Sequence, residues 1–189
     1  MPEPLQPDEV HTGEEYESVR TAEREAVVDA QRERRVHLGE RLTLVFESRD
    51  TVRVSLEEML RSERVSDEAE VSARVDAFNE FVPQGGELGA TLYVEANDPA
   101  ELNTRLADLE GVHRAVYLEI DGIRVNGRTV DDASADELAA ASFVRFAVPP
   151  EAREAWLRGG RVAVGIAHPN CSDRAELSDA QRAAIGADL

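Results

Sequence analysis

The spacing of apolar residues changes from segment to segment, and those changes predict the elements. Tyr16, Val19, Ala22, Ala26, Val27 and Ala30 recur at helical spacing behind Thr12 and Glu15, which have the separation of a capping box. A long N-terminal helix is therefore expected over residues 12–36, with Gly39 as its stop. Over residues 41–47 the period falls to two, with Leu42, Leu44 and Phe46 on one face; Val52 and Val54 repeat it over residues 51–55. With Ser48, Arg49 and Asp50 between the two runs, this predicts a β-hairpin. Ser55 and Glu58 have capping-box spacing again, so a helix should follow at once and end near Arg64. Ser66 or Asp67 opens a further helix carried by Val71, Val75, Phe78 and Val82, ended by Pro83 and Gly85-Gly86.

The second half continues in shorter pieces. Leu88, Ala90, Leu92 and Val94 mark a strand over residues 87–95. Asn97-Asp98-Pro99 opens a short helix through Leu102, Leu106 and Leu109, closed by Gly111. Residues 113–120 read as a central strand, turned back by Asp121-Gly122 into residues 123–126, with a second turn signal at Asn126-Gly127. A short helix is expected over 134–141, a strand over 143–148, a helix from Pro150 to Trp156, a last strand over 161–168 and a closing helix over 178–187. Hairpins and helical pairs without a regular βαβ alternation predict one α+β domain, residues 12–189. Its sheet should be mostly antiparallel with helices packed on it, behind a flexible arm of residues 1–11.

Charge narrows the function classes. The chain has 189 residues, 39 acidic and 21 basic, a formal net charge of −18, and every basic residue is Arg. Such a field repels phosphate backbones, so nucleic acid is not expected as a partner. A high-GC genome would favour Arg codons over Lys. A halophilic host accounts for more, because self-repulsion of this size becomes harmless only under strong screening. No apolar run approaches the roughly 20 residues that span a bilayer, and the acidic, Pro-rich start is unlike a secretory signal, so a cytoplasmic location without membrane insertion is expected. Cys171 is the sole cysteine, which leaves no internal disulfide.

Candidate chemistry is sparse. No P-loop, dinucleotide fingerprint or serine elbow is present, and no cofactor is expected. His168 and Cys171 flank a Pro-Asn pair and have ligand types suited to zinc or iron, but two ligands are too few for a site. Arg32, Arg34 and Arg35 suit the negative end of the first helix. Residues 46–64, FESRDTVRVSLEEMLRSER, crowd carboxylates and guanidinium groups together. There Glu57 and Arg61 stand as i,i+4 partners, and Glu57 and Glu58 are candidates for a general acid–base pair if burial separates their pKa values. A self-paired, solvated face explains the same spacing.

The run RRVHLGERLTLVFESRDTVRVSLEEMLRSER, residues 34–64, resembles a bacterial family known as domain of unknown function 3501. Three segments in the same order support it: FNEFVP from Phe78, ELGATL from Glu87 and VGIAHP from Val164. Cys171 departs from the aromatic residue expected after the His-Pro pair, which weakens its metal reading. The resemblance implies a redox setting, with genes beside a rubrerythrin-like diiron protein and an iron–sulfur protein similar to heterodisulfide reductase. It carries no catalytic residues over. It singles out Glu47, Arg49, Thr51, Glu57, Glu58, Arg61 and Glu63 as the expected functional surface. The function expected from it is that of a non-enzymatic accessory protein docking on an iron–sulfur or diiron redox partner. The alternative is a small-molecule-binding protein or enzyme with a polar Glu/Arg pocket for an anionic substrate or a metal.

Overall fold

A computed structural model describes residues 3–129 and 139–189. The helix α1 spans Gly13–Arg32, four residues short of its expected end at 36, and Thr12 stands at its N-cap without the expected side-chain bond. The chain then forms a hairpin, β1 (Arg35–Leu38) and β2 (Leu42–Phe46), paired from Leu38↔Leu42 to Arg35↔Val45. Gly39 makes the turn at φ +63° instead of stopping a helix. Val36 and Leu38 are buried while Arg35 and His37 are exposed, a period-two pattern hidden behind the preceding helix.

The predicted strand at 51–55 does not exist, because that segment belongs to α2 (Arg49–Glu63). Ser48 is the N-cap, accepting from the Thr51 amide at 3.3 Å while its own amide donates to Thr51 Oγ1 at 2.8 Å. Val52, Leu56 and Leu60 then bury one helical stripe, and the alternation of Val52 and Val54 is too short to oppose it. The capping box thus lies at Ser48, not Ser55. Helix α3 (Glu68–Phe78) follows, with Asp67 accepting from the amides of Ala69 and Glu70.

After β3 (Glu87–Val94) come α4 (Pro99–Asp108), β4 (Val116–Ile120), β5 (Ile123–Asn126), β6 (Arg128–Thr129) and β7 (Ala141–Ala147). Then come α5 (Pro150–Leu157), β8 (Val162–Ile166), β9 (Arg174–Glu176) and α6 (Asp179–Gly186). The helix expected at 134–141 lies largely outside the described residues, and Ala141 opens β7. Two sheets form where one was expected, ordered β1-β2-β3-β7-β6 and β5-β4-β8-β9, and every pairing among the described residues is antiparallel. The chain visits the sheets alternately. Its crossing from β5 to β6 runs through Gly127, where a Cβ would stand 2.4 Å from Val144 Cγ1, so only glycine fits.

One core joins the apolar faces of both sheets, from Leu44, Phe46, Leu92 and Phe146 to Leu118, Val164 and Ile166. A second core lies under α2 and α3. The segment expected as a flexible arm belongs to it. Leu5 and Val10 are buried against Val52, Leu56, Leu60 and Val75. Asn79 fixes Leu5 in both directions, accepting from its amide at 2.6 Å and donating to its carbonyl at 3.0 Å. Burial of one leucine contributes about 2 kcal/mol, enough to hold an arm otherwise rich in Pro and acid. No helix among the described residues is long and apolar enough to cross a membrane.

Candidate functional site

The charged segment around α2 is drawn inward by its neighbours. Glu57 is fully buried, not solvated, and accepts two hydrogen bonds from Arg53 Nη1, at 3.0 and 3.1 Å. The His11 amide donates to Glu57 Oε1 at 2.9 Å, and His11 Nδ1 lies 3.2 Å from the same oxygen. Arg53 also pairs with Glu23 of α1. The partner of Glu57 is thus Arg53, one turn before it, while Arg61 pairs with Glu17 of α1. Glu58, the next residue, faces α1 separately: Tyr16 donates to Oε1 at 2.9 Å and Arg20 binds both oxygens. The two carboxylates have no partner in common.

The remaining positions also serve as ties. Arg49 donates to the Glu3 carbonyl at 2.8 Å and pairs with Glu9, which clamps the N-terminal segment to α2. Glu63 pairs with Arg74 of α3 at 2.9 Å. Thr51 is buried. Arg49, Glu57, Glu58, Arg61 and Glu63 therefore each pair with α1, α3, the N-terminal segment or α2 itself, with Arg61 and Glu63 still exposed.

A polar hollow of about 390 Å³ does lie beside α1 and the start of α2, lined by Arg34, Arg49 and Arg53 among others. Each guanidinium is already neutralised: Arg34 by Asp188 at 2.6 Å, Arg49 by Glu9, and Arg53 by Glu23 and Glu57. No unpaired cation of these three is left for an anionic ligand.

His168 and Cys171 sit far along the chain, paired by two backbone hydrogen bonds of 3.0 Å across Pro169-Asn170. His168 Nε2 lies 2.9 Å from the Glu110 carbonyl, and Nδ1 accepts from the Asn170 amide at 3.2 Å, so both ring nitrogens are engaged. Burial pushes the Cys171 thiol up, helped by its bond to Asp173, which opposes the thiolate a metal needs. Among the described residues, no group of three His, Cys, Asp or Glu is arranged to hold a metal ion.

Glu47 is different. It follows β2, and its side chain lies on the sheet face that carries Thr91 and Tyr93 of β3. Thr91 Oγ1 donates to Oε1 at 2.6 Å and Thr51 Oγ1 to Oε2 at 2.6 Å. No Arg or His pairs with its carboxylate among the described residues, while Arg34 Nη1 donates to its backbone carbonyl at 3.3 Å and pairs with Asp188. It opens into a cleft of about 260 Å³ between the α2–α3 pair and the sheet, lined with Val52, Ser55, Phe78, Phe81, Thr91, Tyr93, Ala141 and Phe143. The Phe81 and Phe143 rings meet edge to face, with centroids 4.9 Å apart, and join the helical layer to β7. Burial pushes the Tyr93 phenol up, and the nearby Glu47 charge adds to it.

Sequence reasoning included Glu47 and Thr51 but missed Thr91, Tyr93 and the three phenylalanines. Their signals were present. Thr91 and Tyr93 alternate with the core residues of β3, so they had to face the opposite side.

The sequence pattern of the family described as "Protein of unknown function (DUF3501)" matches residues 4–189. The chain belongs to this family. Its fold is similar to a crystal structure, at 1.90 Å resolution, of a "novel protein of unknown function" from Burkholderia pseudomallei K96243. The two share 29% identity with a TM-score of 0.93, over 99% of this chain and 100% of that one. No curated protein sequence matches.

Proposed function

We propose that this DUF3501 member is a small-molecule-binding protein whose ligand occupies the cleft at Glu47. The supporting observation is that Glu47 is held by two threonine hydroxyls, lacks a cationic partner among the described residues, and opens onto an apolar, aromatic-walled space. Binding sites combine such walls with a few convergent polar groups. Among the described residues, Tyr93 and Glu47 are the only ionisable side chains on the lining, which favours binding over a multi-step reaction. Amide shifts in a nitrogen–proton NMR spectrum test this. A set of small fragments should include some that move Thr91, Tyr93 and Phe143 together, and Ser55→Trp, which fills the cleft, should abolish those shifts. If no fragment moves these amides, the reading fails.

A docking role on an iron–sulfur or diiron protein is a second proposal, supported by the outer face of α1. Val28 is 55% exposed there, on the face that also carries Arg24, Glu25 and Arg32. Val28→Glu should then abolish co-purification of an identified iron protein from the native host. Unchanged recovery would remove this reading.

A further inference from the structure

We propose that the ligand of the Glu47 cleft is a small organic cation: an ammonium or guanidinium group carried on a flat apolar body. The inference rests on the binding role proposed above and assigns its ligand class.

The charge argument comes first. An ionised carboxylate offers about four acceptor positions. Thr51 and Thr91 fill one on each oxygen of Glu47, which leaves one on each oxygen free. Thr51 Oγ1 is fixed in place, because it also accepts the Ser48 amide at 2.8 Å within the helix cap, and of its two acceptors Glu47 at 2.6 Å is nearer than the Ser48 carbonyl at 3.0 Å. The carboxylate is thus preset with its remaining lone pairs unspent. Nearby acids are treated otherwise: Glu9, Glu57, Glu58 and Glu63 each have an arginine. A half-buried carboxylate without a counter-charge is costly unless a cation completes it. The net charge of −18 raises the local concentration of cations and repels anions.

The walls decide between an inorganic and an organic cation. A metal ion would require further oxygen ligands. Instead Phe78, Phe81 and Phe143 surround the opening with aromatic carbon, and such rings attract a desolvated ammonium group as well as stack on a flat body. The volume sets the size. About 260 Å³ lies below the roughly 300–1,000 Å³ of drug-sized sites, so the ligand is small.

Calorimetry of the full chain with three near-isosteric probes tests the class: phenethylamine, 2-phenylethanol and 3-phenylpropionate. Phenethylamine should bind about tenfold more tightly than the alcohol, and the carboxylate should not bind. Glu47→Gln should erase the preference for the amine while leaving alcohol binding in place, and Ser55→Trp should remove both. Equal binding of all three probes, blocked by Ser55→Trp, overturns the cationic class but leaves the cleft as a binding site. No binding by any probe, or binding that Ser55→Trp does not affect, overturns the class and counts against the site. Displacement of phenethylamine by calcium at constant ionic strength overturns the organic assignment in favour of a metal ion.

Discussion

Tyr16 of α1 donates its hydroxyl to Glu58 of α2 at 2.9 Å, and this bond joins the two helices at the one fully buried residue of α1. The consequences run to both ends of the pH scale. Arg20 holds the Glu58 carboxyl below the usual carboxylate range, burial opposes it, and Tyr16 adds to the lowering. A lowered folded value means that the contribution of Glu58 is present above the unfolded value of about 4.3 and is lost as pH falls through the folded one. In urea unfolding, Glu58→Gln should therefore lose less stability than the parent between neutral pH and about pH 3. A parallel loss in both proteins would contradict this.

Burial, and then the bond to Glu58, push the Tyr16 phenol well up. Its contribution is intact below the unfolded value of about 10 and declines as pH climbs towards the folded one. Tyr16→Phe should cost about 1 kcal/mol at neutral pH and should flatten the alkaline loss of stability. If the alkaline limb is unchanged, the coupling between these residues is absent.

Glu57 anchors a different seam. Removing its carboxylate leaves Arg53 facing Glu23 alone and takes away the acceptor of the His11 amide. Glu57→Ala should cost about 3 kcal/mol, as when one partner of a buried pair is deleted. Hydrogen exchange at His11 and Val10 should accelerate more than at β3, because the N-terminal segment loses its tie there. Uniform acceleration would instead indicate global destabilisation.

The N-terminal segment itself is structural. Leu5→Ala removes a fully buried side chain from the second core and should cost about 2–5 kcal/mol in denaturant unfolding. An effect below about 0.5 kcal/mol, the size of a surface change, would show that the segment does not contribute as its burial suggests.

Salt acts on two opposed terms. It weakens the exposed ion pairs, such as Arg32–Asp29 and Arg158–Glu154, which contribute little individually. It also screens the repulsion of a net charge of −18. The second term should prevail, so the melting temperature should rise between low and molar sodium chloride. A flat or falling profile would defeat the halophilic reading.

Part of the short-range chemistry was legible in the sequence, although the capping boxes expected at Thr12 and Ser55 do not form. Asp67, one of two residues expected to open its helix, is the cap, and Asp98 and Ser178 cap helices at the expected starts. Asp121 and Gly122, both at positive φ, turn β4 into β5. The start of α2 was not legible, because Val52 and Val54 alternate for too few residues to separate strand from helix. The site was less legible still. Glu47, Glu57 and Glu58 look alike as letters, yet Glu57 takes Arg53 from its own helix and Glu58 takes Arg20 from α1. Glu47 is distinguished by Thr91, forty-four positions away, whose role depends on the β2–β3 register.

The alternation of the chain between its two sheets bears on how the protein is made. β3 is central, yet the partner for its second edge, β7, begins only at Ala141. During synthesis that edge stays open for roughly a few seconds at ordinary elongation rates. Nascent chains halted before Ala141 would present an unprotected strand able to recruit one another. β4 likewise waits for β8, so neither sheet can be completed from the first half of the message. Splitting the gene between β5 and β6 should therefore yield two insoluble products, whereas their co-expression offers each half its missing strands.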